Sequence, residues 1–149
     1  MEKIMLNNGL ECPVVGIGTF LLAPADAQNS GREALKMGYR LIDTANAYVN
    51  ERAVGRGMRE SGVPREEIFL STKLWASEYE NENAVEETLE RLGVEYVDLL
   101  YIHQPAGNWL AGYRQLEKAY RDGKAKAIGI SNFEGKYIAE LETQWEIVP

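Results

Sequence analysis

Val85-Glu86-Glu87-Thr88-Leu89-Glu90-Arg91-Leu92-Gly93-Val94-Glu95-Tyr96-Val97-Asp98-Leu99-Leu100-Tyr101-Ile102-His103 is the stretch on which the fold is decided. Val85, Leu89 and Leu92 recur at i, i+4 and i+7, the apolar stripe of an amphipathic helix. Gly93 ends that helix, because glycine takes the left-handed conformation past a last turn at no steric cost. The run from Val97 to Ile102 has the length and apolar content of a buried strand. Helix, glycine stop and strand in so short a span form one step of an alternating α/β array. At the strand's C-terminal end stands an imidazole, His103.

The same step repeats on both sides. Apolar runs at 14–18, 40–43, 68–72 and 125–130 read as further strands, and helices are predicted near 26–37, 50–61, 81–92, 109–122 and 134–142. Gly38, Gly62 and Gly123 repeat the role of Gly93. Strand centres near residues 17, 42, 70, 100 and 128 recur every 25 to 30 residues or so, about the size of one βα unit. Such an array builds a parallel sheet, either doubly wound or closed into a (β/α)8 barrel. The open-sheet reading needs a dinucleotide fingerprint, and Gly16-Ile17-Gly18-Thr19-Phe20-Leu21 lacks its third glycine. The barrel reading takes about 250 residues, so this chain offers about five units and leaves roughly 85 residues of barrel beyond Pro149. Ahead of the array, Lys3-Ile4-Met5-Leu6 and Asn7-Asn8-Gly9-Leu10-Glu11 predict a β-hairpin with a tight two-residue turn at Asn8-Gly9.

Composition narrows the class. The 149 residues are 45% hydrophobic and 26% charged, with 16 basic and 23 acidic side chains and a net charge of −7. That suits a single soluble domain over 1–149, here an incomplete barrel. An acidic chain lacks the basic stripe that a phosphate backbone or an anionic membrane surface requires, so neither nucleic acid nor membrane is an expected partner. No apolar run approaches the roughly 18 residues of a spanning helix, and the start is not a signal peptide, so the expected location is cytoplasmic. One cysteine, Cys12, excludes an internal disulfide, and with one histidine no clustered metal site is expected.

In a barrel, chemistry sits on the rim at the C-terminal strand ends. Asp43, Lys73, His103 and the pair Ser131-Asn132 stand at successive ends, and Tyr48 follows Asp43 within the next loop. Each has a plain structural reading as well. Asp43 is a common turn residue, Lys73 can snorkel to solvent, Tyr48 and His103 can pack, and Ser131-Asn132 can cap the next helix. Their convergence on one rim favours catalysis.

These residues carry a resemblance. Gly38-Tyr39-Arg40-Leu41-Ile42-Asp43-Thr44-Ala45 with Tyr48 and Asn50-Glu51 resembles the first signature of the aldo-keto reductases. Thr72-Lys73-Leu74-Trp75, the run from Val97 to Pro105, and the run from Gly123 to Phe133 resemble the later ones, in order. The resemblance implies a TIM (β/α)8 barrel of aldo-keto reductase type, plugged by an N-terminal hairpin and truncated to about five βα units. It also implies NAD(P)H-dependent reduction of aldehydes or ketones to alcohols, with NADPH as cofactor and a small carbonyl compound as substrate. It places the catalytic tetrad on Asp43, Tyr48, Lys73 and His103. Ser131 and Asn132 would hold the nicotinamide carboxamide, with Gly18 and Thr19 near the cofactor and Asp43 serving that site too. Trp75 and Trp109 would line the substrate pocket, although both tryptophans also read as packing residues. Gln104 stands where many relatives carry tryptophan.

The chemistry has reasons for these groups. Hydride delivered to a carbonyl carbon leaves charge on oxygen, which needs a proton donor in reach. A phenol, with an ordinary pKa of about 10, gives up a proton more readily beside an ammonium, and Lys73 supplies that cation. A buried lysine in turn needs a carboxylate, which Asp43 supplies. The alternative function is a non-catalytic barrel fragment that binds cofactor poorly and self-associates through its open edge, as a homo-oligomer.

Overall fold

The structure, a computed structural model, describes residues 2–149. Strands β1 (Lys3–Met5) and β2 (Glu11–Pro13) pair antiparallel. There follow β3 (Ile17–Gly18), α1 (Pro24–Lys36), β4 (Leu41–Asp43), α2 (Glu51–Ser61), β5 (Phe69–Leu74), α3 (Ala84–Leu92), β6 (Val97–Ile102), α4 (Trp109–Arg121), β7 (Ala125–Ile130) and α5 (Gly135–Glu142). The five later strands form one parallel sheet in the order β3-β4-β5-β6-β7. Every strand lies beside its sequence neighbour, as in a barrel wall. A doubly wound sheet would reverse direction at a switch point, and none occurs here.

Alternate residues of the wall serve two cores. Ile42, Leu70, Leu100, Ile102 and Ile128 pack against the helices in the larger cluster. Cys12, Phe69, Leu99 and Ala127 form a smaller cluster on the inner side, joined by Leu6 and Leu10 of the hairpin. The hairpin therefore plugs the interior, and Asn8 Nδ2 ties it to the wall by donating to the Lys126 carbonyl at 2.8 Å. Its turn differs from the expected two-residue form. Gly9 N–H donates to the Leu6 carbonyl at 3.0 Å, and of the two turn residues only Gly9 has positive φ, 85°. Asn7 and Asn8 are thus the centre of an ordinary turn followed by one left-handed glycine, the three-residue alternative for a hairpin. This loop leaves the Asn8 side chain free to reach β7.

The helix stops fall where expected, each followed by a positive-φ glycine at 38, 62, 93 and 123. Two further glycines set the helix layer. A Cβ on Gly55 would lie 1.9 Å from the Leu92 carbonyl oxygen, and one on Gly57 would lie 2.4 Å from that of Gln28. Only hydrogen at these positions lets α2 nest between α1 and the end of α3. Strand β5 runs on to Leu74, beyond the expected end at 72, so Lys73 lies inside a strand and is buried. The site it joins explains why that is tolerated.

Candidate active site

Asp43 closes β4, and its two oxygens are held from β5. Ser71 Oγ donates to Oδ1 at 2.6 Å, and Lys73 Nζ donates to Oδ2 at 2.6 Å. Register dictates this, because Asp43 lies opposite Ser71. Lys73 also donates to the Thr44 carbonyl at 2.9 Å and to Tyr48 Oη at 3.4 Å. All three ammonium protons thus have acceptors, one of them charged, which permits a lysine only 8% exposed.

Tyr48 ends a single 3-10 turn, Asn46–Tyr48, and the chain leaves it through Val49 at φ 56°. Left-handed backbone is unfavourable for a β-branched residue, so the surroundings hold this loop in shape. Asn50 does so. Its Oδ1 accepts from Thr44 Oγ1 at 2.9 Å, and its Nδ2 donates to the carbonyls of Thr19 at 2.9 Å and Leu22 at 3.2 Å. Thr19 Oγ1 donates to Thr44 Oγ1 at 2.9 Å. This buried knot joins the loops after β3 and β4 beneath Tyr48. Thr19 is wholly buried in it, so its hydroxyl does not reach the rim, whereas Gly18 is exposed there.

His103 follows β6. Its ring meets Tyr48 edge-on at a centroid distance of 5.7 Å and Trp75 at 4.9 Å, while Phe20 covers the other side of Tyr48 at 5.1 Å. Burial pushes the imidazole below its ordinary pKa, and the Lys73 ammonium adds to that against a smaller pull from Asp43. Its Nδ1 is buried without a hydrogen-bond partner among the described residues. The backbone beyond it is pinned by Tyr79, whose Oη donates to the Gln104 carbonyl at 2.7 Å and accepts from Gln104 N–H at 3.2 Å.

Ser131 continues the β6–β7 ladder, with its N–H donating to the Ile102 carbonyl at 3.0 Å. Asn132 is left-handed at φ 61°, and its Nδ2 donates to the His103 carbonyl at 2.8 Å. Neither side chain caps α5, whose N-cap residue is Glu134. The structure thus gathers Asp43, Tyr48, Lys73, His103 and Trp75 at one rim, with Ser131 and Asn132 beside them. Trp109 is elsewhere: it is the first residue of α4, buried edge-on against Phe133 at 5.2 Å and Tyr137 at 6.2 Å. That is a packing position in the helix layer, where it joins the larger core.

Sequence reasoning missed Thr44, Tyr79 and the positioning role of Asn50. Their partners lie 6 to 31 residues away along the chain, so spacing carries no signal for them. Among the described residues no group of three or more His, Cys, Asp or Glu could hold a metal ion, and no helix is long and apolar enough to cross a membrane.

A phenol, an ammonium, a carboxylate and an imidazole thus meet on one rim, in a chain that is similar to several known proteins. Over 98–99% of its length the chain is 44% identical to a glyoxal reductase of Bacillus subtilis (strain 168) and 42% identical to a morphine 6-dehydrogenase of Pseudomonas putida. It spans about half of those relatives, 55% and 51% respectively. The crystal structure of an aldo/keto reductase from Brucella melitensis superposes with a TM-score of 0.95 at 38% identity, over 99% of this chain and 60% of that one. These five units therefore match part of a TIM barrel wall. With the Aldo/keto reductase family model matching residues 14–149 as well, the chain belongs to that family.

Proposed function

We propose that these residues carry the proton-transfer half of an NAD(P)H-dependent oxidoreductase that reduces small aldehydes or ketones to alcohols, with NADPH as cofactor and the cytoplasm as its location. The observation that carries this reading is Lys73 Nζ standing between Asp43 Oδ2 at 2.6 Å and Tyr48 Oη at 3.4 Å. Tyr48 donates the proton to the carbonyl oxygen as charge develops on it. The ammonium stabilises the phenolate left behind, and Asp43 pairs with that ammonium and holds it in place. His103, held neutral by burial, orients the carbonyl oxygen toward the phenol. Trp75 and Phe20 border the approach, against His103 and Tyr48 respectively.

The end of β7 fits a nicotinamide carboxamide. The Asn132 amide is fixed through its nitrogen by His103, which leaves Oδ1 as an acceptor, and the Ser131 hydroxyl beside it can donate. When bound there, the reduced nicotinamide supplies the hydride. Thr19, enclosed in the Asn50 knot, serves this site only by holding the loop.

Replacing Tyr48 by Phe tests the proposal. In the protein as expressed, with glyoxal as the probe substrate, turnover falls by about 100-fold or more while NADPH affinity changes less than about twofold. Unchanged turnover would remove Tyr48 from the role of acid. A second reading, a non-catalytic barrel fragment in which 1–149 is one incomplete domain, is favoured by the unpaired edges at β3 and β7. Nicotinamide fluorescence separates the two: saturable NADPH binding supports the enzyme, and its absence supports the fragment.

A further inference from the structure

Beside the Tyr48 loop, at the N-terminal end of α2, lies a pocket of about 480 Å³. It is lined by Asn46, Val49 and Asn50 of the loop and by Arg52, Arg56 and Arg91. None of Asp43, Tyr48, Lys73 or His103 borders it, so it is a cavity separate from theirs that shares the same loop.

Its charge is what needs explaining. Arg52 and Arg56 are one helical turn apart on α2, an arrangement of like charges that costs stability unless something offsets it. Arg52 has no hydrogen-bond or ion-pair partner among the described residues. Arg56 Nε is bonded only to the neutral Gln28 Oε1, at 3.0 Å. Arg91 donates through Nε to Glu51 Oε2 at 2.7 Å and through Nη2 to Thr88 Oγ1 at 3.0 Å, which leaves Nη1 free. Glu51 is the one carboxylate of the lining, and it is only 2% exposed, with its other oxygen taken by Thr72. Arg91 is thus paired with the one carboxylate of the lining, and Arg56 lies near enough to Glu60 outside it to lower that carboxyl's pKa, yet Arg52, Arg56 and Arg91 leave the lining with an excess of positive charge in a chain whose net charge is −7.

The backbone adds to this excess. Asn50 is the N-cap residue of α2, but its side chain is spent in the knot with Thr19 and Thr44 and makes no cap hydrogen bond. The N–H groups of Glu51, Arg52 and Ala53 consequently have no acceptor among the described residues, although all three residues line the pocket.

We propose that this pocket binds a phosphate group, carried by a small phosphomonoester or present as the free ion. Guanidiniums bind tetrahedral oxyanions through paired N–H donors, and a phosphate at neutral pH carries nearly two negative charges, enough to meet the excess. The pocket is roomier than the ion alone requires, and Pro24 and Val49 give an organic part something apolar to lie along. Asn50 is the wall shared with the catalytic loop, since Thr44, which it holds, offers its carbonyl to Lys73. The proposal does not rest on carbonyl reduction.

The test is direct binding to the 149-residue chain, followed by amide shifts during titration with inorganic phosphate and, separately, glycerol 3-phosphate at constant ionic strength. Saturable shifts centred on residues 50–53 are expected, with a millimolar or tighter Kd. The double substitution Arg52→Gln/Arg56→Gln should weaken binding at least about tenfold, and Arg121→Gln should leave it unchanged. Arg91 is not a clean probe, because its removal strands the buried Glu51. Should the double variant misfold, Arg52→Gln alone removes a side chain without structural partners and should still weaken binding. Tighter binding of glycerol 3-phosphate identifies a phosphomonoester as the source, and equal binding identifies the free ion. No saturable shift up to about 20 mM, or undiminished binding by the variants, overturns the proposal.

Discussion

His103 is the one histidine in the chain, so its ring protons can be followed without assignment work. Burial and the neighbouring Lys73 ammonium hold its pKa down. In a proton NMR titration the midpoint should fall below about 6.5, the ordinary value. Lys73→Met removes the second cause and should move the midpoint back up, although burial keeps it below the ordinary value. A midpoint unaffected by Lys73→Met would mean that the two groups do not sense each other. The sign for stability follows. Below about pH 6.5 the unfolded chain binds a proton that the folded chain resists, so this group makes folding less favourable as the pH falls.

Glu117 shows what a single side chain does for an element. It lies in α4, wholly buried, and its Oε1 accepts from the backbone N–H groups of Glu146 at 2.6 Å and Ile147 at 3.0 Å. Its Oε2 takes Arg114 Nη1 at 2.7 Å, and Tyr113 Oη donates to the Ile147 carbonyl at 2.5 Å. The segment after α5 is thereby laid along α4. Burial alone would raise the Glu117 pKa, but the backbone donors and Arg114 outweigh it and hold the carboxyl below its usual value. Glu117→Ala strands two N–H groups and should cost about 2 kcal/mol in urea denaturation, with faster amide exchange at 146 and 147. A carboxylate with lowered pKa stabilises above its unfolded value, about 4.3, and loses that contribution as the pH falls through the folded value. Glu117→Gln should therefore flatten the acid limb of stability against pH. An unchanged acid limb would remove Glu117 from that role.

At the scale of the whole molecule, β3 and β7 each pair on one side only, which leaves two parallel edges. The accessible surface, 7522 Å², is close to the roughly 7600 Å² expected of a compact monomer of this mass. Leu6 and Leu10 of the hairpin pack on the inner cluster, and we propose that self-association runs through the strand edges. Light scattering across a range of concentrations should show a dimer or larger species. A mass that stays monomeric at every concentration would show that the edges are protected locally.

Much of this was legible in the chain itself, because local physics writes it there. Alternating helical stripes, glycine stops and apolar runs are short-range patterns, and they foretold five βα units with Asp43, His103 and Ser131-Asn132 at strand ends. The extent of β5 was not legible, since whether Lys73 can lie inside a strand depends on Asp43, thirty residues away in sequence and 2.6 Å away in space. Trp109 shows the same limit, for a large aromatic near a loop suits a pocket or a core equally until Phe133 and Tyr137 are seen against it. The Asn8-Gly9 turn followed the needs of Asn8 at β7, a contact 118 residues away. Periodicity and stop signals are properties of neighbours along the chain, so the sequence determined the elements and their order. Burial, charge pairing and the meeting of loops depend on residues far apart in the chain, and those only the tertiary structure decided.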